Sequence, residues 1–387
     1  MLRAMPKALV LGAGIMGLCT AWGLSRAGWS VTVVEQDAVP NPRGASMDDH
    51  RLIRHAYGAQ RGYMRMVDDA FRAWDLLWSE LGESFYHPTG VLALASGTAG
   101  WLGESRAALA TDGHGFEDLD PATIPARYPM LQPAGIGAAL AMPEGGVLLA
   151  RPIVAALARH LQARGVAFER GRAVGLDPAR ASLQLESGGM READLLVVAA
   201  GPWAPRLLPG LAGRVVASRQ IVVYLEPPAA HRALWDRAPM LLDLSEEGGF
   251  YAVPPVAGTP LKIGDHRFSR QGDAEADPRE ASAAEAEAIL ALARPRLAEA
   301  GGYRVLAARA CYYDVEDAER FVAEPLGPHA WVMSGFSGHG FKFGAVLGLA
   351  MAAAAGDAAL AAALPRWAAG EAPPPHGLLP VMCQMST

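Results

Sequence analysis

The first apolar run of the chain, Ala8 to Leu11, ends in Gly12-Ala-Gly14-Ile-Met-Gly17 and passes into an Ala/Leu-rich stretch that stops at Gly28. A second apolar run, Ser30 to Val34, closes on Glu35. The pattern predicts a strand, a tight turn, a helix to about Ala27 and a second strand. Further on, Pro152 to Arg164 has the spacing of an amphipathic helix ended by Gly165, and Ala167–Arg170 and Leu183–Leu185 are short strand candidates. Ala193 to Ala200 is a continuous apolar strand leading into Gly201-Pro202-Trp203. Return to such a strand predicts that the opening domain resumes here and is discontinuous. The intervening segments differ in texture. Phe85–Leu94, Ala139–Leu149, Gln220–Leu225, Phe250–Val253 and Leu261–Gly264 are strand candidates of a second, sheet-based domain, with a helix expected over Pro278–Glu299. No repeat of fixed period is present, and the Pro-rich stretch Glu371–Pro380 is expected to be a surface extension.

Composition narrows the function classes. With 387 residues, 51% of them hydrophobic and 19% charged, the chain is long enough for two packed domains and is neither disordered nor fibrous. Thirty-four basic against 40 acidic residues leave a net charge of −6 and no basic surplus, which argues against a nucleic-acid partner. The longest apolar stretch, Phe343 to Leu360, is broken by Asp357, so no membrane-spanning helix is expected. Met1 to Lys7 is too short for a signal peptide, and a cytoplasmic location follows as the expectation. Three cysteines, Cys19, Cys311 and Cys383, do not form a disulfide framework. Only Lys7, Lys262 and Lys342 are lysines, so 34 − 3 = 31 basic residues are arginine. In so biased a chain, Lys262 and Lys342 mark places where a compact ammonium that can lose its proton matters.

Beside the opening glycine unit, four clusters carry candidate chemistry: Asp49–Gly58, Phe250-Tyr251 with Leu261–His266, Ala310-Cys311-Tyr312-Tyr313-Asp314, and Ser334–Gly344. In the opening unit Gly12 makes the tight turn, Gly14 lets a pyrophosphate approach the backbone, and Gly17 lets helix and strand pack. Glu35, 18 residues after Gly17, is placed to accept from a ribose hydroxyl. Ile15, Met16 and Gln36 belong to the same cradle. The fingerprint is shared by NAD(P) and FAD proteins and does not choose between them. In Asp49-His50-Arg51-Leu-Ile-Arg54-His-Ala-Tyr57-Gly58, two arginines three apart are expected on one face of a helical turn, suited to anions. Lys262 on a strand would point opposite to Leu261 and Ile263, towards solvent or a cleft. Ser334 to Gly344 sets Gly335, Gly338, Gly340 and Gly344 among aromatics with His339 and Lys342, which suggests backbone packed against a flat ligand.

In order along the chain stand GxGxxG, R-L-I-R-H-A-Y-G, F-Y-x-x-P, L-K-I-G-x-H, C-x-Y and G-F-S-G-H-G-F-K-F. The sequence thereby resembles, nearly end to end, the monomeric sarcosine oxidase and N-methyltryptophan oxidase family of FAD enzymes, in the D-amino-acid oxidase superfamily. The resemblance implies an α/β protein with an α+β second domain: a discontinuous Rossmann-like FAD domain over residues 1–84, 145–217 and 320–387, and a mixed-sheet substrate domain over 85–144 and 218–319. It implies a monomer that oxidises a secondary, N-substituted amino acid and passes electrons to dioxygen, giving hydrogen peroxide. By the same resemblance Cys311 carries the flavin covalently, Lys262 assists the reaction with dioxygen, Arg51 lies beside the flavin, and Arg54 and Lys342 hold the substrate carboxylate. Tyr251, His266 and Tyr313 line the substrate pocket, while Gly201, Trp203, Gly335, Gly338, His339 and Gly340 join the cofactor site. Dehydrogenases of the superfamily, which use a carrier in place of dioxygen, are the alternative. Two departures bear on the substrate. Gly44 to Asp49 lacks the family's usual histidine, and Asp265 replaces an aromatic before His266, so a bulkier N-substituted amino acid fits as well as sarcosine.

Overall fold

A computed structural model describes residues 5–244 and 249–378; Cys383 and the end of the Pro-rich stretch lie outside the described residues. The opening unit forms as its pattern predicts. The strand Lys7–Leu11 and the strand Ser30–Glu35 pair in parallel, and between them the helix Ile15–Arg26 is buried from Ile15 to Leu24. Their interiors are mostly apolar because both faces are covered: helices pack on one side against Val10 and Val33, and on the other Leu183 and Leu185 of a small sheet meet Leu9, Leu11 and Val34. The sheet has six strands, in the order Val322–Gly327, Ala330–Ser334, Leu195–Val198, Lys7–Leu11, Ser30–Glu35 and Ala167–Arg170. Segments from both ends and the middle of the chain thus make one layer.

Glycines let the helices approach one another. A Cβ at Gly23 would stand 2.3 Å from the carbonyl oxygen of Gly348, in the helix Gly344–Gly356, so these two helices cross backbone to backbone. The apolar stretch Phe343–Leu360 is broken at Asp357, whose carboxylate accepts from the amides of Ala359 and Leu360 and so caps a new helix, Ala358–Ala368. Among the described residues no helix is long and apolar enough to cross a membrane.

The second sheet has eight strands, in the order Arg304–Glu316, Val215–Glu226, Leu261–Asp265, Phe250–Val253, Met240–Asp243, Val91–Ala95, Ala138–Met142 and Glu117–Leu119. Met240–Asp243 and Val91–Ala95 run parallel and the other pairs antiparallel, so the sheet is mixed. One face packs on the helix Ala283–Ala293 through Val223, Leu261, Ile263, Ile289 and Leu290. The alternate residues Tyr224, Tyr251 and Lys262 stand on the other face. Two three-stranded sheets complete the frame, one of His50–Arg54, Gly145–Leu149 and Tyr86–His87, the other of Ala173–Asp177, Ser182–Leu185 and Met190–Glu192.

Several expected elements change bounds or kind, each for a local reason. Phe85–Leu94 splits into Tyr86–His87 and Val91–Ala95 around Pro88-Thr-Gly90, and Ala139–Leu149 into Ala138–Met142 and Gly145–Leu149 around Pro143-Glu144. The helix expected over Pro278–Glu299 occupies only Ala283–Ala293, because Ser282 and Glu285 form a reciprocal capping box at its start and Pro295 follows its end. The arginines 51 and 54 lie on a strand and not on a helical turn: residues 50–54 pair antiparallel with Gly145–Leu149. At period two, positions three apart face opposite ways. The Pro-rich stretch also differs from a plain surface extension, since Leu378 is fully buried.

Candidate functional site

The cradle is built from backbone. Gly12 has φ +106°, and a Cβ there would meet the Ala199 carbonyl oxygen at 2.4 Å; one at Gly17 would meet that of Gly12 at 1.8 Å. Both positions require glycine for close packing. Gly14 has only the Ser46 Oγ within contact range, 3.4 Å from such a Cβ, so its open side faces a cavity. That cavity is lined by Gly12, Gly14, Ile15, Met16, Glu35, Gln36, Arg51, Gly201, Trp203, Tyr313, Gly338 and Gly340. It runs from the amino end of the helix Ile15–Arg26 to the second sheet. An amide-lined helix start with an uncrowded glycine fits the pyrophosphate of a dinucleotide such as FAD. The Glu35 carboxylate is held by the Ala13 amide at 2.8 Å, the Asp37 amide at 3.1 Å and the Asn41 side-chain amide at 2.9 Å. Its remaining acceptor capacity points along the cavity wall. Ser46 accepts from the Ile15 amide at 3.0 Å, and Arg172 and Arg206 add cations to this end.

At the far end the cavity meets an ionic cluster. Lys262 is 2% exposed, and its Nζ donates to Asp48 Oδ2 and to the His50 carbonyl oxygen, both at 2.9 Å. Arg51 also donates to Asp48 and to the Ala45 carbonyl oxygen, and the Tyr224 hydroxyl donates to the other oxygen of Asp48. Burial opposes charge on Asp48. Lys262 and Arg51 beside it, with the Tyr224 hydroxyl, nonetheless hold its carboxyl well below the usual range. Burial lowers the pKa of Lys262 in turn, with Asp48 acting against the shift. Asp48 was not singled out as a functional group. The available signal was its place three residues before Arg51, in the segment that departs from the family pattern.

Cys311 and Tyr313 stand on the strand Arg304–Glu316. The Cys311 Sγ is 4.0 Å from Arg51 Nη2 and 3.8 Å from the Ala45 carbonyl oxygen. Burial pushes its thiol up, and Arg51 and Lys262 pull against that shift. The Tyr251 ring lies 5.8 Å from Lys262 Nζ and 5.9 Å from the ring of His266, which stands exposed just past the strand.

The remaining pair of cations lies elsewhere. The Arg54 guanidinium sits 4.9 Å from the Tyr57 ring centre and 5.2 Å from that of Trp101. Lys342, 4% exposed, donates to the Tyr57 hydroxyl at 2.8 Å and to the His339 carbonyl oxygen at 2.9 Å, with its Nζ 5.3 Å from the same Tyr57 ring. Burial, and next to it Arg54, draws the Lys342 pKa well below its ordinary value. Burial also lowers that of Arg54. Among the described residues no carboxylate is paired with either. Tyr57, which joins them, and Trp101 had no assigned role in the sequence.

The glycine-rich segment differs from a backbone opened to a flat ligand. A Cβ at Gly338 would meet Tyr313 at 2.4 Å, one at Gly340 would meet Phe336 at 2.6 Å, and one at Gly335 would meet Val322 at 3.0 Å. Protein side chains impose this closeness, although Gly338 and Gly340 also reach the cavity. His339 stacks near Phe321 and Tyr63, and its carbonyl orients Lys342; it is not on the cavity wall.

A mostly parallel sheet with a glycine-built cradle, whose cavity runs on to a cation-rich, aromatic end under a second mixed sheet, is the frame of a cofactor-dependent oxidoreductase. The FAD-dependent oxidoreductase family, DAO, matches residues 7–354, and the chain belongs to it. It is 27% identical over 352 residues to monomeric sarcosine oxidase of Bacillus sp. (strain NS-129), covering 89% of this chain and 91% of that one. It is 26% identical to N-methyl-L-tryptophan oxidase of Salmonella arizonae, covering 88% and 92%. Among solved structures the open form of NikD, an amino acid oxidase essential for nikkomycin biosynthesis, superposes with a TM-score of 0.76 at 20% identity, covering 97% of both chains.

Proposed function

We propose that the protein oxidises an N-substituted amino acid at the carbon beside its nitrogen, with FAD as cofactor and dioxygen as the terminal electron acceptor. The observation that carries this reading is the pair Arg54 and Lys342, which share Tyr57 and have no carboxylate within ion-pair distance among the described residues, Glu319 acting on Arg54 only from farther off. Two cations left in this state suit a substrate carboxylate, and Arg54 and Lys342 bind it. The flavin, when bound, supplies the two-electron acceptor for the substrate carbon. The backbone from Gly12 to Gly17, with Glu35 and Trp203, holds that cofactor, and Cys311 is the group for covalent attachment. Arg51 and Lys262 beside the second sheet, with Arg54 and Lys342, favour entry of the amine in its neutral form, so no separate protein base is required. Tyr251, Tyr313 and His266 enclose the nitrogen substituent. The product imine hydrolyses in water, and hydrogen peroxide is the co-product. Residues 1–84, 145–217 and 320–387 form the cofactor domain in this reading, and residues 85–144 and 218–319 the substrate domain.

One observation favours a second reading, in which electrons pass to a carrier. Asp48 already neutralises part of the charge that Lys262 would offer to reduced oxygen. Anaerobic bleaching of the bound flavin tests the substrate class. A panel of sarcosine, bulkier N-alkyl and cyclic secondary amino acids, primary D-amino acids and 2-hydroxy acids is expected to bleach only with secondary amines. Bleaching confined to primary amines or hydroxy acids overturns the reading. One peroxide formed per amine consumed selects the oxidase, and dye reduction without peroxide selects the dehydrogenase.

A further inference from the structure

A second constellation lies outside the cavity. His55 follows the strand His50–Arg54, Asp68 stands on the helix Arg61–Leu81, His114 follows the helix Gly100–Asp112, and Glu144 lies in the turn before Gly145–Leu149. The two imidazoles lie against each other, with ring centres 4.1 Å apart and planes tilted by 30°. Both Nε2 atoms face Asp68, at 3.0 Å for His55 and 3.7 Å for His114. Both Nδ1 atoms face Glu144, at 3.8 Å and 3.5 Å. The ligand atoms of His55, Asp68 and His114 lie within 4.8 Å of one another. The His55 side chain is 5% exposed and its Nδ1 is buried without a hydrogen-bond partner among the described residues; the same holds for Nε2 of His114. Leaving Nε2 of His114 unpartnered where it faces Asp68, beside Nε2 of His55, is unfavourable unless a further partner sits there.

We propose that His55, His114 and Asp68 bind a divalent ion of the zinc class. Two imidazole nitrogens and one carboxylate oxygen select zinc, cobalt or nickel over magnesium and calcium, which prefer all-oxygen sites. Tetrahedral bonds of about 2.0–2.1 Å place neighbouring ligand atoms roughly 3.3 Å apart; His55 Nε2 stands 3.0 Å from Oδ1 of Asp68 and His114 Nε2 3.7 Å from its Oδ2, so a small side-chain adjustment closes the set on one ion. Glu144, 3.8 and 3.5 Å from the two Nδ1 atoms, places a negative charge on that side and leaves both Nε2 atoms towards the metal. Asp68 is 38% exposed, so the fourth position opens to water and the ion loads from solvent. The ion ties together the end of the strand His50–Arg54, the helix Arg61–Leu81 and the residues after the helix Gly100–Asp112. It lies one residue from Arg54 and fastens the end of the helix that carries Trp101, on which Arg54 rests.

The test uses the flavin-containing protein, stripped of metal with a chelator that leaves the flavin in place, then dialysed to equilibrium against zinc and assayed by elemental analysis and thermal denaturation. One zinc per chain is expected, with a raised melting temperature and no response to magnesium. His114→Ala and the near-isosteric Asp68→Asn should each weaken zinc binding by at least about tenfold, while His160→Ala, a histidine paired with Glu80 away from the cluster, leaves it unchanged. Should the alanine variant fail to fold, the asparagine variant decides alone. Absence of stoichiometric zinc in the parent, or equal zinc binding by parent and both cluster variants, overturns the proposal. This readout is independent of amine oxidation.

Discussion

Lys262 and Lys342 are buried to nearly the same degree, 2% and 4% exposed, yet their surroundings are opposite. Lys262 and its neighbour Arg51 converge on Asp48, a carboxylate contributed by the chain itself. Lys342 and its neighbour Arg54 converge on Tyr57, whose hydroxyl and ring soften the charge without neutralising it. A low-dielectric site makes an internal partner strongly favourable and its absence costly. The first pair is therefore built into the fold, and the second is built to be completed by something else. In the function proposed above, the difference separates a group that maintains the field around the cofactor from one that recognises a ligand.

The largest effect expected from that contrast is at Asp48. Asp48→Asn leaves Lys262 and Arg51 buried without a counter-ion and should cost about 3–5 kcal/mol in denaturant unfolding. Adding Lys262→Met should recover part of the loss; if the double variant is no more stable than the single, the pairing is not what holds this end together.

Asp314 is the converse case, a buried carboxyl with no cation paired to it among the described residues. Burial raises its pKa from 3.8 to about 6, against a 3.1 Å hydrogen bond from Ser334. Because the folded value lies above the unfolded one, the native state binds the proton more tightly. The stabilisation is full below pH about 4 and is lost as pH rises through about 6, a difference of about 3 kcal/mol. Subtracting the stability profile of Asp314→Asn from that of the parent should reveal that slope, and a flat difference would remove the argument from burial.

Arg54→Ala or Lys342→Met should weaken a carboxylate-bearing ligand by about 2 kcal/mol, roughly thirtyfold, while flavin content stays constant. Lys342→Met should also leave the ligand-free protein as stable as the parent or more so, opposite in sign to Asp48→Asn. Loss of flavin with unchanged ligand affinity would mean that the second pair serves the cofactor. The smallest energetic effect is expected for Cys311→Ala, about 1 kcal/mol or less in stability. Its signature is chemical: acid precipitation should release the yellow colour that the parent retains, and equal release from both refutes the covalent link.

The opening strand, turn, helix and strand were legible because each carries its own local cause: a continuous apolar strand, glycines where no Cβ fits, and a terminal acid. The capping role of Asp357 and the outward direction of Lys262 from its strand follow from the same local rules. Arg51 and Arg54 were misread as a helical pair because spacing of three matches a helix in isolation. Only pairing with Gly145–Leu149 made the segment a strand and sent the two side chains to different sites. Nothing in the order of residues shows that Asp48 meets Lys262, 214 positions away, or that the rings of His55 and His114 lie against each other. The chain by itself determined which backbone shapes form and which residue types are available, since those depend on sterics and hydrophobic period over a few neighbours. Tertiary structure alone decided which buried charges are neutralised and which remain open, because that depends on segments brought together across the chain and on the water they exclude.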